Sequence, residues 1–225
     1  MSAQQVRVVE SEKDIVIFRG NTDILTYHKI EVAPPEGAKK IYRRSGFIHP
    51  LKSPKGGIVT GIHPSDHLHH LGLWHAWVKS KHGVDQPDFW NLGKGSGKVR
   101  FLKSLKRKAN GFTVEQEQVA FKGGEMEEVV ILREALSISV KATNEGNFID
   151  YDLTQKNVSN KNLELPVYRY GGPLAYRGPH SWDSKNSNYL TSAGKMREDS
   201  HATRANWCAI FGPTDKGDAT ITMMG

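Results

Sequence analysis

Apolar and polar residues alternate with a period of two along much of this chain, and a period of two places one face of a β-strand in a core and the other in water. Leu136, Ile138 and Val140 alternate with Ser137, Ser139 and Lys141, and Ile149, Tyr151 and Leu153 with Asp150, Asp152 and Thr154. Phe112 and Val114 begin a similar pattern after Asn110-Gly111, a dipeptide that favours a tight hairpin. VRVV (6–9), DIVIF (14–18), ILTYH (24–28) and ATITMM (219–224) have the same character. Turn residues punctuate the chain at short intervals, as at Pro34-Pro35, Gly56-Gly57, Gly123-Gly124 and Gly171-Gly172-Pro173. No stretch has the apolar spacing of an amphipathic helix of three turns. Many short strands separated by such turns predict an all-β protein, an antiparallel β-sandwich.

The 225 residues suffice for one large core, and no repeat or linker divides them, so residues 1–225 read as a single β domain. The strand-like run ending at Met224-Gly225 stops with no exit, which leads us to expect that a longer parent continues at the C-terminus. No window approaches the ~20 apolar residues of a membrane helix, and the opening MSAQQVRVVESEKD lacks the apolar run of a signal peptide. A soluble protein is expected, either cytoplasmic or exported with its signal removed. The single cysteine, Cys208, leaves no internal disulfide and no cysteine-rich zinc site.

A net charge of +7 raises the question of nucleic acid. Much of the excess lies in KVRFLKSLKRK (98–108), with six Lys or Arg, but Glu115, Glu117, Glu125, Glu127 and Glu128 follow at once. Neighbouring antiparallel strands would set these charges opposite one another. Only Phe101 interrupts the basic run with an aromatic ring, so a base-stacking platform is not expected, and nucleic acid is not an expected partner.

The densest chemistry lies in HPSDHLHHLGLWHAW (63–77), which holds five of the ten histidines. Pro64, Ser65 and Asp66 favour a turn, after which Leu71, Leu73, His75 and Trp77 fall on one strand face and Trp74, Ala76 and Val78 on the other. His67, His69 and His70 then stand where a loop enters a sheet. Three readings of the block compete. In the first, an extended 67–69 segment points His67 and His69 at one divalent metal, with a third ligand from His180, His201 or Glu164. In the second, neutral imidazoles oriented by Asp66 exchange protons with a sugar hydroxyl or ring oxygen, and Trp74 or Trp77 offers a face to the ring. In the third, the rings are a buried hydrogen-bonded cluster, His75 above all. A second constellation, PVYRYGGPLAYRGPHSW (166–182), adds Arg169, Tyr170, Arg177 and Trp182, side chains suited to hydroxyls or a carboxylate. His201 in SHATRANW (200–207) is a weaker third.

Four stretches taken together, HPLKSPKGGIVTGIHPSDHLHHLGLWHAW (49–77), GVDQPDFWN (83–91), YRYGGPLAYRGPHSW (168–182) and SHATRANWCAIFG (200–212), resemble a bacterial and fungal family. Its members are commonly labelled "methane oxygenase PmoA" or left as a domain of unknown function. The resemblance runs from about residue 40 to the end. It departs from the family pattern at Leu68, at Leu71 and at Gln86-Pro87-Asp88, but the histidines match. It implies an antiparallel sandwich of the supersandwich kind seen in galactose mutarotases, and further strands beyond residue 225. A true methane monooxygenase subunit is embedded in the membrane, and without a spanning segment we reject that activity.

The expectation is therefore a β-sandwich that binds, and acts on, a carbohydrate or polyol. Asp66, His67, His69 and His70 are the catalytic candidates, and Trp74, Arg169, Tyr170, Arg177, Trp182 and His201 the substrate-binding ones. A non-catalytic carbohydrate-binding or structural module and a mononuclear His-ligated metalloenzyme are the alternatives.

Overall fold

The computed structural model describes residues 5–122, 127–170 and 172–225. The Gly123-Gly124 turn, Glu125 and Gly171 lie outside the described residues. Among the described residues fifteen strands run in chain order: β1 (Val6–Glu10), β2 (Asp14–Arg19), β3 (Thr22–His28), β4 (Phe47–Leu51), β5 (Leu73–Ala76), β6 (Lys81–His82), β7 (Gly97–Lys108), β8 (Gly111–Lys122), β9 (Glu127–Ala142), β10 (Asn147–Asn157), β11 (Leu163–Glu164), β12 (Gly172–Tyr176), β13 (Asn188–Thr191), β14 (Trp207–Thr214) and β15 (Gly217–Met224). The helices among the described residues are single 3-10 turns at Lys40–Tyr42 and Leu92–Lys94. None is long and apolar enough to cross a membrane.

A six-stranded sheet, β1-β2-β3-β4-β5-β12, packs on a four-stranded sheet, β10-β9-β8-β7, and named strands pair antiparallel throughout. Ile15, Ile17, Leu25, Tyr27 and Ile48 from the first sheet meet Phe112, Val114, Leu136, Ile138 and Val140 from the second. Ile149, Tyr151 and Leu153 close the same core from β10. The alternation in the sequence is thus the inward face of each strand. A three-stranded sheet, β13-β14-β15, lends Ala219 and Ile221 to this core.

The hairpin expected at Asn110-Gly111 forms one residue earlier. Lys108 pairs with Gly111, so Ala109 and Asn110 make the turn and Gly111 is already strand. A Cβ at 111 would lie 2.1 Å from the Ile138 carbonyl oxygen, and only glycine tolerates that approach of β9. The basic run on β7 meets acidic residues as expected: Arg100 pairs with Glu117 at 3.1 Å and Glu128 at 2.8 Å, and Lys103 with Glu115 at 3.1 Å. β7 is an edge strand with two register shifts, and charge and bulges are the usual defences of such an edge.

Toward one end the core turns polar. Gln116 lies opposite Glu134, which lies opposite Gln155, so three polar residues cross the sheet in register. The Glu134 carboxylate accepts from Gln118 and Gln155 at 2.6 Å each and from Gln116 at 3.3 Å. His75 Nε2 stands 3.1 Å from it, and His75 Nδ1 bonds the Gly172 carbonyl at 2.8 Å. The fully buried Arg44 donates to the His75 carbonyl at 2.6 Å. Burial alone would raise the Glu134 carboxyl, but His75 and the two amides overcome it and hold the group below its ordinary range. Burial lowers Arg44 to about 10, which still leaves it charged at neutral pH. His75 is therefore the hydrogen-bonded core residue that the third reading of its block anticipates.

Candidate functional site: an imidazole cluster under an arginine–tyrosine turn

Strand pairing explains how two segments a hundred residues apart meet. β12 runs antiparallel to β5, with Tyr176 opposite Leu73 and Ala175 opposite Trp74. The residue after Tyr176 must then lie beside the residues before Leu73. Arg177 accordingly donates its backbone N–H to Gly72 O at 2.7 Å and accepts from Gly61 N at 2.9 Å. Gly72 sits at φ +62°, and a Cβ there would lie 2.2 Å from the Ile48 carbonyl oxygen, so this junction requires glycine.

The loop from 63 to 70 folds on itself. His67 N–H bonds Pro64 O at 3.0 Å, His70 N–H bonds His67 O at 2.9 Å, and His63 N–H bonds His70 O at 2.8 Å. The rings of His67 and His70 stack with centroids 4.7 Å apart, and His69 meets His70 edge-on at 4.6 Å. Beneath them lie Trp74, 5.3 Å from the His70 ring, and Trp90, 4.9 Å from Trp74. Tyr170 closes the group 6.1 Å from Trp90, with Tyr168 5.0 Å further along. Trp74 is 1% exposed and Trp90 7%, whereas Tyr170 is 38% and Tyr168 43% exposed. The indoles are thus the floor, and the tyrosines present the open aromatic faces.

Asp66 Oδ2 lies 2.9 Å from His67 Nδ1, and its other oxygen 3.6 Å from Arg177 Nη2. The bond from His67, with Arg177 behind it, holds the Asp66 carboxyl below its ordinary range. Burial and the neighbouring rings depress His69 to about 4 and His70 to about 3, with Arg177 adding to the effect on His70. Both imidazoles are neutral bases at neutral pH. His70 Nδ1 is buried with no partner among the described residues.

The other candidates fall around this group or away from it. The Arg169 guanidinium carbon lies 5.3 Å from the Tyr170 ring centroid, at the open edge. Trp182 donates its indole N–H to Pro213 O at 2.7 Å and packs on Gly212 and Gly178, with no contact to the imidazoles. His201 is exposed in a turn and has no polar or ring partner among the described residues. Of the ligands considered for a metal, His180 bonds Ile62 O at 2.8 Å and Glu164 pairs with Lys81 at 3.6 Å. Among the described residues, no three His, Cys, Asp or Glu side chains converge as a metal ion requires.

Nothing in the spacing of the block gives His63 a role, and the structure supplies one. His63 is a non-glycine residue at φ +49°, 4% exposed, and its Nδ1 bonds Leu68 O at 2.6 Å. With its backbone bond to His70, it clamps both sides of the loop that carries the three rings. We predict that His63→Ala costs about 1–2 kcal/mol, from the lost bond and the unfilled space. A urea titration reads the loss, and amide exchange should quicken at residues 67–70 more than in β9. Uniform quickening would contradict the clamp.

An antiparallel β-sandwich carrying a neutral imidazole cluster between buried indoles and exposed tyrosines is the class that fold and site define. The chain belongs to the Family of unknown function (DUF6807), whose profile matches residues 14–225. No curated protein and no solved structure matches it.

Proposed function

We propose that the chain binds a carbohydrate or related polyol over His69 and His70 and acts on it by proton transfer. The observation that carries this reading is the pair of neutral, half-buried imidazoles beside the open tyrosine faces. A pyranose presents an apolar C–H face and a rim of hydroxyls. Tyr170 and Tyr168 would take the face, while Arg169 and Arg177 would donate to the rim. His69 and His70 would accept protons from hydroxyl or ring positions, and the Asp66–His67 pair would orient the group and return a proton. The likeness to sequences labelled PmoA, and through it to mutarotase-like supersandwiches, agrees with a sugar-sized ligand.

Exposure of Tyr168, Tyr170 and Val167 along one segment favours a second reading, a binding module without turnover. The leading proposal is tested with a panel of neutral monosaccharides and uronates, titrated by calorimetry into the protein and the variant His69→Ala/His70→Ala. Affinity should fall at least about tenfold while the circular dichroism spectrum is retained. Unchanged affinity in the folded variant refutes the assignment, and binding without chemical change of the sugar selects the non-catalytic module.

A further inference from the structure

A hollow of about 390 Å³ lies away from the imidazoles, between the two 3-10 turns and the start of β7. The segment around residue 91 borders both sites: the Trp90 ring packs against His70, whereas Leu92 lines this hollow. Ile41, Leu92 and Phe121 give it apolar walls, Lys40, Arg43 and Lys98 bring cations to it, and Glu31 brings one carboxylate. Lys98 is already answered, by Glu31 at 2.7 Å and by the Phe121 ring at 5.6 Å. Lys40 and Arg43 have no carboxylate partner among the described residues.

Local geometry brings those two residues to one side of the chain. Arg43 N–H bonds Lys40 O at 3.0 Å, closing a 3-10 turn. A 3-10 helix has three residues per turn, so side chains three apart lie on one side. Arg44, one residue on, points the opposite way into the core. Two cations that border one hollow without carboxylate partners of their own attract an anion, and an anion with an apolar body also covers the walls.

We propose that this hollow is a binding site for a small amphipathic organic anion, one carboxylate or phosphate on a body the size of a single ring. The acid group bridges Lys40 and Arg43, and the body lies on Ile41, Leu92 and Phe121. The proposal is independent of the carbohydrate reading.

Titration of isotope-labelled protein with 3-phenylpropionate, followed by amide resonances, tests it. Gly95 and Gly97 line the hollow and should shift saturably, while the amides of 67–70 stay in place. The uncharged 3-phenylpropanol should bind at least about tenfold more weakly, and so should phenylpropionate to Lys40→Ala/Arg43→Ala. Both side chains are exposed, so the variant should keep the parent spectrum elsewhere. Equal binding of the alcohol, unchanged binding by the variant, or no saturable shift at Gly95 and Gly97 would overturn the site. Binding of acetate as tight as phenylpropionate would overturn the apolar part of the claim.

Discussion

Replacing Glu134 with alanine should destabilise the protein by about 3–5 kcal/mol, the range typical of breaking a buried charge cluster from one side. The carboxylate accepts from Gln116, Gln118 and Gln155 and faces His75, all inside the sandwich. Its removal leaves three amides without this acceptor, those of Gln116 and Gln118 fully buried and that of Gln155 partly so. It also removes the countercharge of Arg44, which is 0% exposed and whose Nη1 already lacks a partner among the described residues. Glu134→Gln keeps the volume and an acceptor but loses the charge and turns an amide toward other amides. It should lie between wild type and the alanine variant. Urea unfolding measures both, with an unchanged slope showing that the same surface is exposed in each. A loss under about 1 kcal/mol for Glu134→Ala would mean that Arg44 draws its compensation from elsewhere.

Much of this layer was written in the alternation that predicts the sandwich. Leu136, Ile138 and Val140 mark the inward face of β9, and one step back on that face is Glu134. Phe112 and Val114 lead forward to Gln116 and Gln118 on β8, and Ile149, Tyr151 and Leu153 to Gln155 on β10. Each strand alone shows an apolar pattern that lapses, which reads as a strand end. The lapses become a shared layer only when register aligns them, and register depends on bulges such as the shift between Gln118 and Val119. The imidazole block was legible because its density is local. Its meeting with Arg177 followed from pairing of β5 with β12, which no spacing along the chain encodes. The depth of Trp74 was equally hidden. β5 is buried on both faces, so alternation there could not separate an outward ring from a core ring. Trp90 joins the cluster because Asp88, whose carboxylate accepts from the backbone N–H groups of Trp90 and Asn91, fixes the turn beneath it. That signal is an ordinary Asx turn and carries no functional mark of its own.

Acid should unfold this protein earlier than its carboxylates alone would dictate. His49 and His69 are lowered to about 4 and His70 to about 3, each chiefly by burial, from an ordinary value of 6.5. Below pH 6.5 the unfolded chain therefore takes up protons that the native rings refuse. Stability rises with pH wherever the unfolded state binds more protons, so it must fall as pH drops from 6.5 toward 4. Each fully shielded group would contribute about 1.4 kcal/mol per pH unit. These rings are half-buried and screened by solvent, so the total over the window should be nearer 2–3 kcal/mol. Asp66, Glu115 and Glu134 act lower down, because their depressed carboxyls withdraw stability only as pH falls below the ordinary carboxylate range. The two windows separate by substitution. His69→Asn/His70→Asn should flatten the dependence of the urea midpoint between pH 6.5 and about 4.5 while leaving the steeper loss below it. In the folded protein His69 and His70 stay neutral until pH nears 4, so a ligand that donates to the neutral rings should hold its affinity from pH 6.5 to about 4.5 and weaken only below that, whereas one that needs protonated rings would tighten only there. The neutral-imidazole proposal requires the first of these, constant affinity down to about pH 4.5. Sugar binding that strengthens toward pH 4.5 would remove the proton-accepting role from His69 and His70 even if the stability profile behaved as expected.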